Sequence, residues 1–330
     1  MEIGKSVIFI AVGGGGDVAS ASMLALAARR IGLKSHIASI VWERFSIDRV
    51  PGPVKFNEIL NAIRIGDYSM LVSEESRALR GGREISFQSA NVSRAIGEKI
   101  GIVDITRGTI GMEKGIKELA EFFGCDTIIG VDVGGDILSN GFEKDLWSPL
   151  ADFISLAAIS KLDGIIYVHS IGSDGELSQS YLLRRIALIA ERGGLLGARG
   201  MMKEDAEVLE KILTYVESEA SKVALLAFRG YYGYLNLRNN SRRTFVTPLN
   251  TLTFFFKAKI ISELNPLVPE LLNVTSIEEA KHKLNERGVF TELNLEENLF
   301  EILNKGGKIT GKIIREIKRS FLKNRNNQSK

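Results

Sequence analysis

The chain has 330 residues, 45% hydrophobic and 25% charged, with a net charge of +3, one cysteine and three histidines. That balance excludes a disordered or fibrous chain, and the lone Cys125 excludes an internal disulfide and a cysteine-based zinc site, leaving it as a small buried apolar residue. No apolar run approaches the roughly 20 residues that span a bilayer and no charged-then-apolar leader opens the chain, so no membrane contact and a cytoplasmic setting are expected.

The charge is uneven. From Lys305 to Lys330 there are nine Lys and Arg against Glu316 alone, a net of +8 that leaves the body at −5. A mildly acidic body disfavours generic nucleic-acid binding.

Apolar runs of strand length recur at Ser6–Val12, Ser35–Val41, Ile102–Ile105, Thr127–Val131 and Gly164–His169. Between and after them helical spacing appears at Val18–Arg30, Met112–Phe123, Pro149–Lys161, Gln179–Arg192 and Glu204–Ser221. This alternation predicts an α/β fold, a three-layer, Rossmann-like, doubly wound and mostly parallel sheet with a C-terminal α+β extension. Two stretches interrupt it, Trp42–Lys99 and Gly134–Trp147; each either completes a binding cleft or caps a sheet edge. After Gly230 a hairpin (Tyr234–Leu237 and Thr244–Thr247 around an Asn/Ser turn), a further strand in "TLTFFFKA" and helices near Ile260–Leu272 and Ser276–Arg287 are expected. The predicted organisation is a ligand-binding core over 1–230, a hairpin and helix extension over 231–307, and a basic amphipathic tail over 308–330. In the tail Ile309, Ile313, Ile314, Ile317 and Phe321 share one helical face, which suits packing on the body or on a second subunit in a homo-oligomer.

A doubly wound sheet binds ligands outside the carboxyl ends of its strands, so the loops that follow the strands matter most. After the first strand come Gly13, Gly14, Gly15, Gly16 and Asp17. A glycine loop entering a helix offers backbone N–H groups and a positive helix end to an anion such as phosphate. The Walker lysine is missing, and the dinucleotide fingerprint fails at its sixth position, Val18. Asp17 either caps the helix or implies a metal ion between itself and a phosphate. Arg107, after the third strand, is a candidate anion clamp. After the fourth, Asp132 and Asp136 flank Gly134 and Gly135, a pattern suited to a hard divalent cation or, more plainly, to a tight turn. After the fifth come His169, Asp174 and Glu176, candidates for acid/base work.

The segments "GGGGDV", "GVDVGGDIL", "SPLADFISLAA", "GSDGELS" and "ERGVFTELNLE" together resemble an archaeal family catalogued as domain of unknown function 1152, from about Ile8 to about Glu297. The resemblance implies a Rossmann-like fold and an archaeal cytoplasmic protein, and carries no catalytic residue with it. The expectation from the residues is an enzyme dependent on Mg²⁺ or Mn²⁺ that acts on a phosphorylated or nucleotide-like anionic small molecule, as a transferase or hydrolase. The glycines would hold the anion, Asp132 and Asp136 the metal, and a nucleotide is a possible cofactor. The alternative is a non-catalytic nucleotide- or metabolite-binding regulatory protein.

Overall fold

The computed structural model describes residues 4–238 and 240–328. Asn239 of the expected hairpin turn and residues 329–330 of the tail lie outside them.

A central strand of a parallel sheet is covered on both faces and therefore reads as an unbroken apolar run. Strand β1 (Ser6–Ala11) is such a run, buried at every position, and is followed by a short 3-10 turn over Gly15–Asp17, α1 (Val18–Arg30) and β2 (Lys34–Ser39). The first interruption holds β3 (Ile59–Leu60), β4 (Ile63–Arg64), β5 (Ser69–Val72), β6 (Arg77–Arg80), β7 (Arg83–Ile85) and α2 (Gln88–Ile96). Alternation resumes with β8 (Ile100–Val103), α3 (Gly108–Phe123), β9 (Thr127–Val133), α4 (Pro149–Lys161), β10 (Ile165–His169), α5 (Gln179–Glu191) and β11 (Leu195–Gly200). Helices α6 (Lys203–Leu213) and α7 (Glu219–Phe228) lead to the hairpin β12 (Gly233–Leu237) and β13 (Arg242–Val246), then to β14 (Leu252–Lys257). The chain closes with α8 (Ala258–Leu264), α9 (Val268–Leu271), α10 (Ile277–Glu286), α11 (Glu292–Asn304) and α12 (Gly311–Gln328).

Among the described residues, nine strands form one sheet in the order β11-β14-β10-β9-β1-β2-β8-β5-β4. Every pairing from β10 to β8 is parallel, and only β14 and β5 run against the rest. The chain passes from β1 to β2 on one side and later builds β9 and β10 on the other, so the order reverses between β1 and β9. In open sheets of this kind such a reversal is where a ligand crevice is expected, outside the carboxyl ends of the strands.

Alternate residues of β1 feed two cores. Val7, Phe9 and Ala11 pack with α1, α2, α6 and α7, whereas Ile8 and Ile10 pack with α3, α4, α5 and the helices that follow β14. Helix α4 is buried around its whole circumference because the sheet lies below it and α3, α8, α9 and α10 lie around and above it. Its start is set by Pro149 at the first helical position.

Several expectations shift. The helix expected over Glu204–Ser221 is two helices: α6 stops at Leu213, and Ser218 starts α7 by accepting a hydrogen bond from Ser221 N. Pro266 splits the helix expected near Ile260–Leu272, because it holds Asn265 extended. Residues beyond 230 are not separate from the sheet, since β14 is inserted between β10 and β11. Cys125 is half-buried. In the tail, Phe321 packs edge-on against Phe290 of the same chain, the first of the two packings expected for that face.

The first interruption does two things. Strands β5 and β4 extend the sheet edge, while β3, β6 and β7 form a small separate sheet that Arg80 ties to residues 48–58 of the same stretch. The Arg80 guanidinium donates to Asp48 (2.6 Å), Glu58 (2.7 Å) and the carbonyls of Val50 and Gly52, and both Arg80 and Asp48 are 3% exposed. Removing one partner of a buried ion pair strands the other, at about 3–5 kcal/mol. Arg80→Ala is therefore expected to lower the unfolding free energy by about that much in chemical denaturation, whereas an unchanged midpoint would show that the pair holds nothing.

Candidate functional site

The loops after β1, β9 and β10 meet at the crevice. None of Gly13, Gly14, Gly15 and Gly16 takes a left-handed φ, so backbone conformation does not require glycine there. Space is tight at three of the four, each against a side chain. A Cβ at Gly13 would fall on the Asp17 carboxylate, one at Gly15 would lie 2.6 Å from Glu43 Oε1, and one at Gly16 would lie 3.0 Å from Ser218 Oγ. Gly14 is the exposed member, with nothing nearer than the Trp42 carbonyl at 4.0 Å. Two of the loop's N–H groups are used internally, Gly15 N on Trp42 O at 2.8 Å and Asp17 N on Gly14 O at 3.0 Å. The loop thus wraps carboxylates that belong to the chain itself.

Gly134 and Gly135 do need their conformation, with φ of +127° and +110°. A Cβ on Gly134 would also meet Asp174, its N–H donates to His169 O at 3.1 Å, and its carbonyl accepts from Gly172 N at 2.6 Å. The paired glycines lock the β9 loop against the β10 loop and bring Asp132 and Asp136 beside Asp174 and Glu176. One carboxylate oxygen from each of Asp136, Asp174 and Glu176 lies within 4.8 Å of the other two.

Sequence reasoning missed Asp152 and Glu292. Asp152 sits in the first turn of α4 and is buried, with Asp132 and Asp17 as its nearest charged neighbours. Glu292 accepts hydrogen bonds from Leu150 N (3.0 Å) and Ala151 N (2.8 Å) at the start of the same helix. The signal for Asp152 was available: a carboxylate in the first turn of a helix that follows a ligand-binding loop points toward that loop's crevice.

Burial pushes Asp17 up to about 8 and Glu43 and Glu292 to about 7. Asp132, Asp136 and Asp152 are raised well above the carboxylate range, by burial first and then by one another and by Asp17, Asp174 and Glu176. Asp174 is raised for the same two reasons.

Glu176 is the exception. Burial alone would raise it, yet Arg242 and Arg238 hold it at about 2. It accepts from Trp147 N (2.5 Å), Ser148 N (3.2 Å) and Ser148 Oγ (2.7 Å), and is ion-paired with Arg242. An ionised carboxylate with so many donors is an anchor rather than a proton-transfer group. Trp147 in turn carries the Arg242 guanidinium at 5.5 Å and the Lys318 ammonium at 4.5 Å over its ring, and buried Lys318 donates to Leu146 O.

His169 and Arg107 are not brought into this cluster. His169 points to the opposite face of the sheet, fully buried, with Nδ1 2.8 Å from Thr253 Oγ1, and burial followed by Arg199 lowers its pKa to about 4. Arg107 is exposed and lies 5.7 Å over the Tyr68 ring beyond β8, a position fixed by the 3-10 turn that precedes α3.

The model of a family described as protein of unknown function (DUF1152) matches residues 8–300. No curated protein and no solved structure matches the chain.

Two outcomes follow from the loop and from His169. Gly15→Ala is expected to cost about 1–3 kcal/mol of stability through overpacking against Glu43, and Gly14→Ala less than about 1 kcal/mol; equal melting temperatures for the two variants would contradict the spacing argument. His169 has a folded pKa below its ordinary 6.5, so its favourable contribution is complete above pH 6.5 and is lost as pH falls toward about 4. The stability difference between wild type and His169→Gln should shrink by about 3 kcal/mol over that window. Denaturation curves collected across it would show a constant difference if the imidazole were protonated in the folded state.

Proposed function

Because the chain belongs to the DUF1152 family over residues 8–300, a membership that brings no activity with it, we propose from its own residues a divalent-cation-dependent enzyme that acts on a phosphorylated or nucleotide-like small molecule. One observation carries the proposal: Asp132 Oδ2, Asp136 Oδ1 and Asp152 Oδ1 are buried carboxylate oxygens with no hydrogen-bond partner. Leaving a buried acceptor unpaired costs about 1–3 kcal/mol, and more when it is charged. The three belong to β9, to the turn after it and to the first turn of α4, and buried carboxylate oxygens of this kind suit a hard cation. Asp136 is also one of the three acids, with Asp174 and Glu176, that bring an oxygen each within 4.8 Å of the others.

In this proposal Asp132, Asp136 and Asp152 hold Mg²⁺ or Mn²⁺, which would supply charge stabilisation on a phosphoryl oxygen. Asp17 lies beside them, between the glycine loop and the cation. Asp174, whose Oδ1 is 3.2 Å from Glu176 N, is the remaining candidate for moving a proton, while Glu176 positions the start of α4 and Arg242. We read the strand order β8-β2-β1-β9-β10 as that of a Rossmann-like doubly wound sheet, which supports a nucleotide-like ligand at the order reversal. A cytoplasmic setting and an anionic ligand belong to the same proposal.

One observation favours the second reading, a nucleotide- or metabolite-binding regulatory protein. Of the three acid/base candidates in the sequence, His169 faces away and Glu176 is locked, leaving Asp174 alone. Turnover of any phosphorylated substrate separates the two.

Calorimetric titration with Mn²⁺ alone tests the cation. The wild type is expected to bind, and Asp152→Asn and Asp136→Asn are each expected to weaken binding by about tenfold or more while remaining folded. No heat of binding with the wild type, or equal affinity in all three proteins, would remove the cation from the site.

A further inference from the structure

We infer that Arg44, Arg238 and Arg242 form the recognition rim for a polyanionic group of pyrophosphate size at the mouth of the acidic crevice. The inference rests on the cation reading for the floor of the site and adds the ligand class that the rim selects.

The three guanidinium groups come from separate places. Arg44 follows β2, and Arg238 and Arg242 stand at the two ends of the turn between β12 and β13. Glu219, at the start of α7, ties the first two together: its Oε2 accepts from Arg44 Nη1 at 2.9 Å and its Oε1 from Arg238 N at 3.0 Å. Arg44 acts electrostatically on Asp17 and Arg238, and Arg238 on Asp174, Glu176 and Arg242. The three guanidinium groups therefore stand near enough to the glycine-loop Asp17 and to Asp174 and Glu176 of the β10 loop to act on them.

Acceptors within the chain satisfy the rim only in part, and Arg44 is paired with Glu219. Arg242 is paired with Glu176. Arg238 approaches the same Glu176 oxygen only to 3.8 Å, and among the described residues its guanidinium makes no hydrogen bond, although its side chain is 33% exposed. Arg242 and Arg44 crowd it with like charge. The backbone of Arg238 is also left-handed, with φ of +50°, an unfavourable conformation for a side chain of this size. Three guanidinium groups thus share two carboxylates, Glu176 and Glu219, which leaves the rim an excess of positive charge for an external anion to pair.

The chemistry of that acceptor follows from the two halves of the site. A guanidinium binds carboxylate or phosphate oxygens in bidentate fashion. Linked phosphates carry enough oxygens and charge to meet a cation and more than one guanidinium at once, which a single monoanionic group does not. Exposed Gly14 leaves the loop side open to such a group. Arg107, the anion clamp expected from sequence, is replaced in this role by residues from the first interruption and the hairpin.

The test titrates Mn²⁺ alone and then phosphate, pyrophosphate and ADP in the presence of Mn²⁺, on wild type, Arg44→Gln, Arg238→Gln, Arg238→Lys and the exposed control Arg64→Gln. Pyrophosphate should bind the wild type more tightly than phosphate. Arg44→Gln and Arg238→Gln should each weaken it by about tenfold or more, with Arg238→Lys between and Arg64→Gln unchanged. Affinity for Mn²⁺ alone should stay the same or tighten in the arginine variants, and the melting temperature of Arg238→Gln should hold or rise, since a repulsive charge has been removed. A structural role for Arg238 predicts the reverse for melting. ADP binding more tightly than pyrophosphate assigns the rim to a nucleotide, and equal binding assigns it to the polyphosphate alone. Mn²⁺ binding with no pyrophosphate or ADP binding, or with affinities unchanged in Arg44→Gln and Arg238→Gln, overturns the rim and leaves the cation standing. Pyrophosphate binding without Mn²⁺ that the arginine variants lose upholds the rim and removes the cation.

Discussion

The Glu176 carboxylate is the interaction on which the crevice depends. It is fully buried, ionised, and shared among the N–H groups of Trp147 and Ser148, the Ser148 hydroxyl and the Arg242 guanidinium. Those donors belong to the β10 loop's three neighbours: the end of the loop after β9, the start of α4 and strand β13. A charge buried without such partners would cost several kcal/mol, so the three elements are held in one geometry by the requirement to satisfy it. Arg242 could not stand over the crevice, nor Asp152 project into it from α4, without that shared anchor.

The same economy explains the density of acids around it. Burying Asp17, Asp132, Asp136, Asp152 and Asp174 together raises each of their pKa values, and the chain offers its positive charges to Glu176 rather than to them. A stable core does not call for such an arrangement, since apolar residues of similar size would fill the space with less strain. Three buried carboxylate oxygens lack a partner while three guanidinium groups share two carboxylates, a polarity that suits a cation beside an anion.

Helix α12 takes part in this from outside the family match, which stops at residue 300. Lys318 lies between the rings of Trp147 and Phe290, at 4.5 and 5.9 Å, and burial lowers its pKa to about 8. Its methylene stem covers apolar surface while its ammonium faces the acidic side of Trp147. A cleft of 520 Å³ remains between α11 and α12, lined by Asn294, Asn298, Ile313, Ile317 and Phe321 among others, and it contains none of the acid cluster.

The sequence by itself determined the alternation of strands and helices, the α/β class with a mostly parallel sheet, and the three loops that meet at the crevice, because period-2 and period-3.6 patterns and glycine clusters are local signals. It left α2, β11 and α11 unmarked, and it ran α6 and α7 together, because a break without proline or glycine depends on what Ser218 and Val216 find to pack against. Only the tertiary structure decided which side chains share the site. His169 and Asp132 both lie at carboxyl ends of neighbouring strands, yet a one-residue difference in position sends them to opposite faces of the sheet. Asp152, Arg44, the neighbouring Arg238 and Arg242, and Lys318 come from four segments far apart in the chain, and no local pattern records that folding brings their charges near one another. The four glycines show the division most plainly: their spacing announced a close approach, and the fold decided that what approaches is Asp17 and Glu43 of the chain itself.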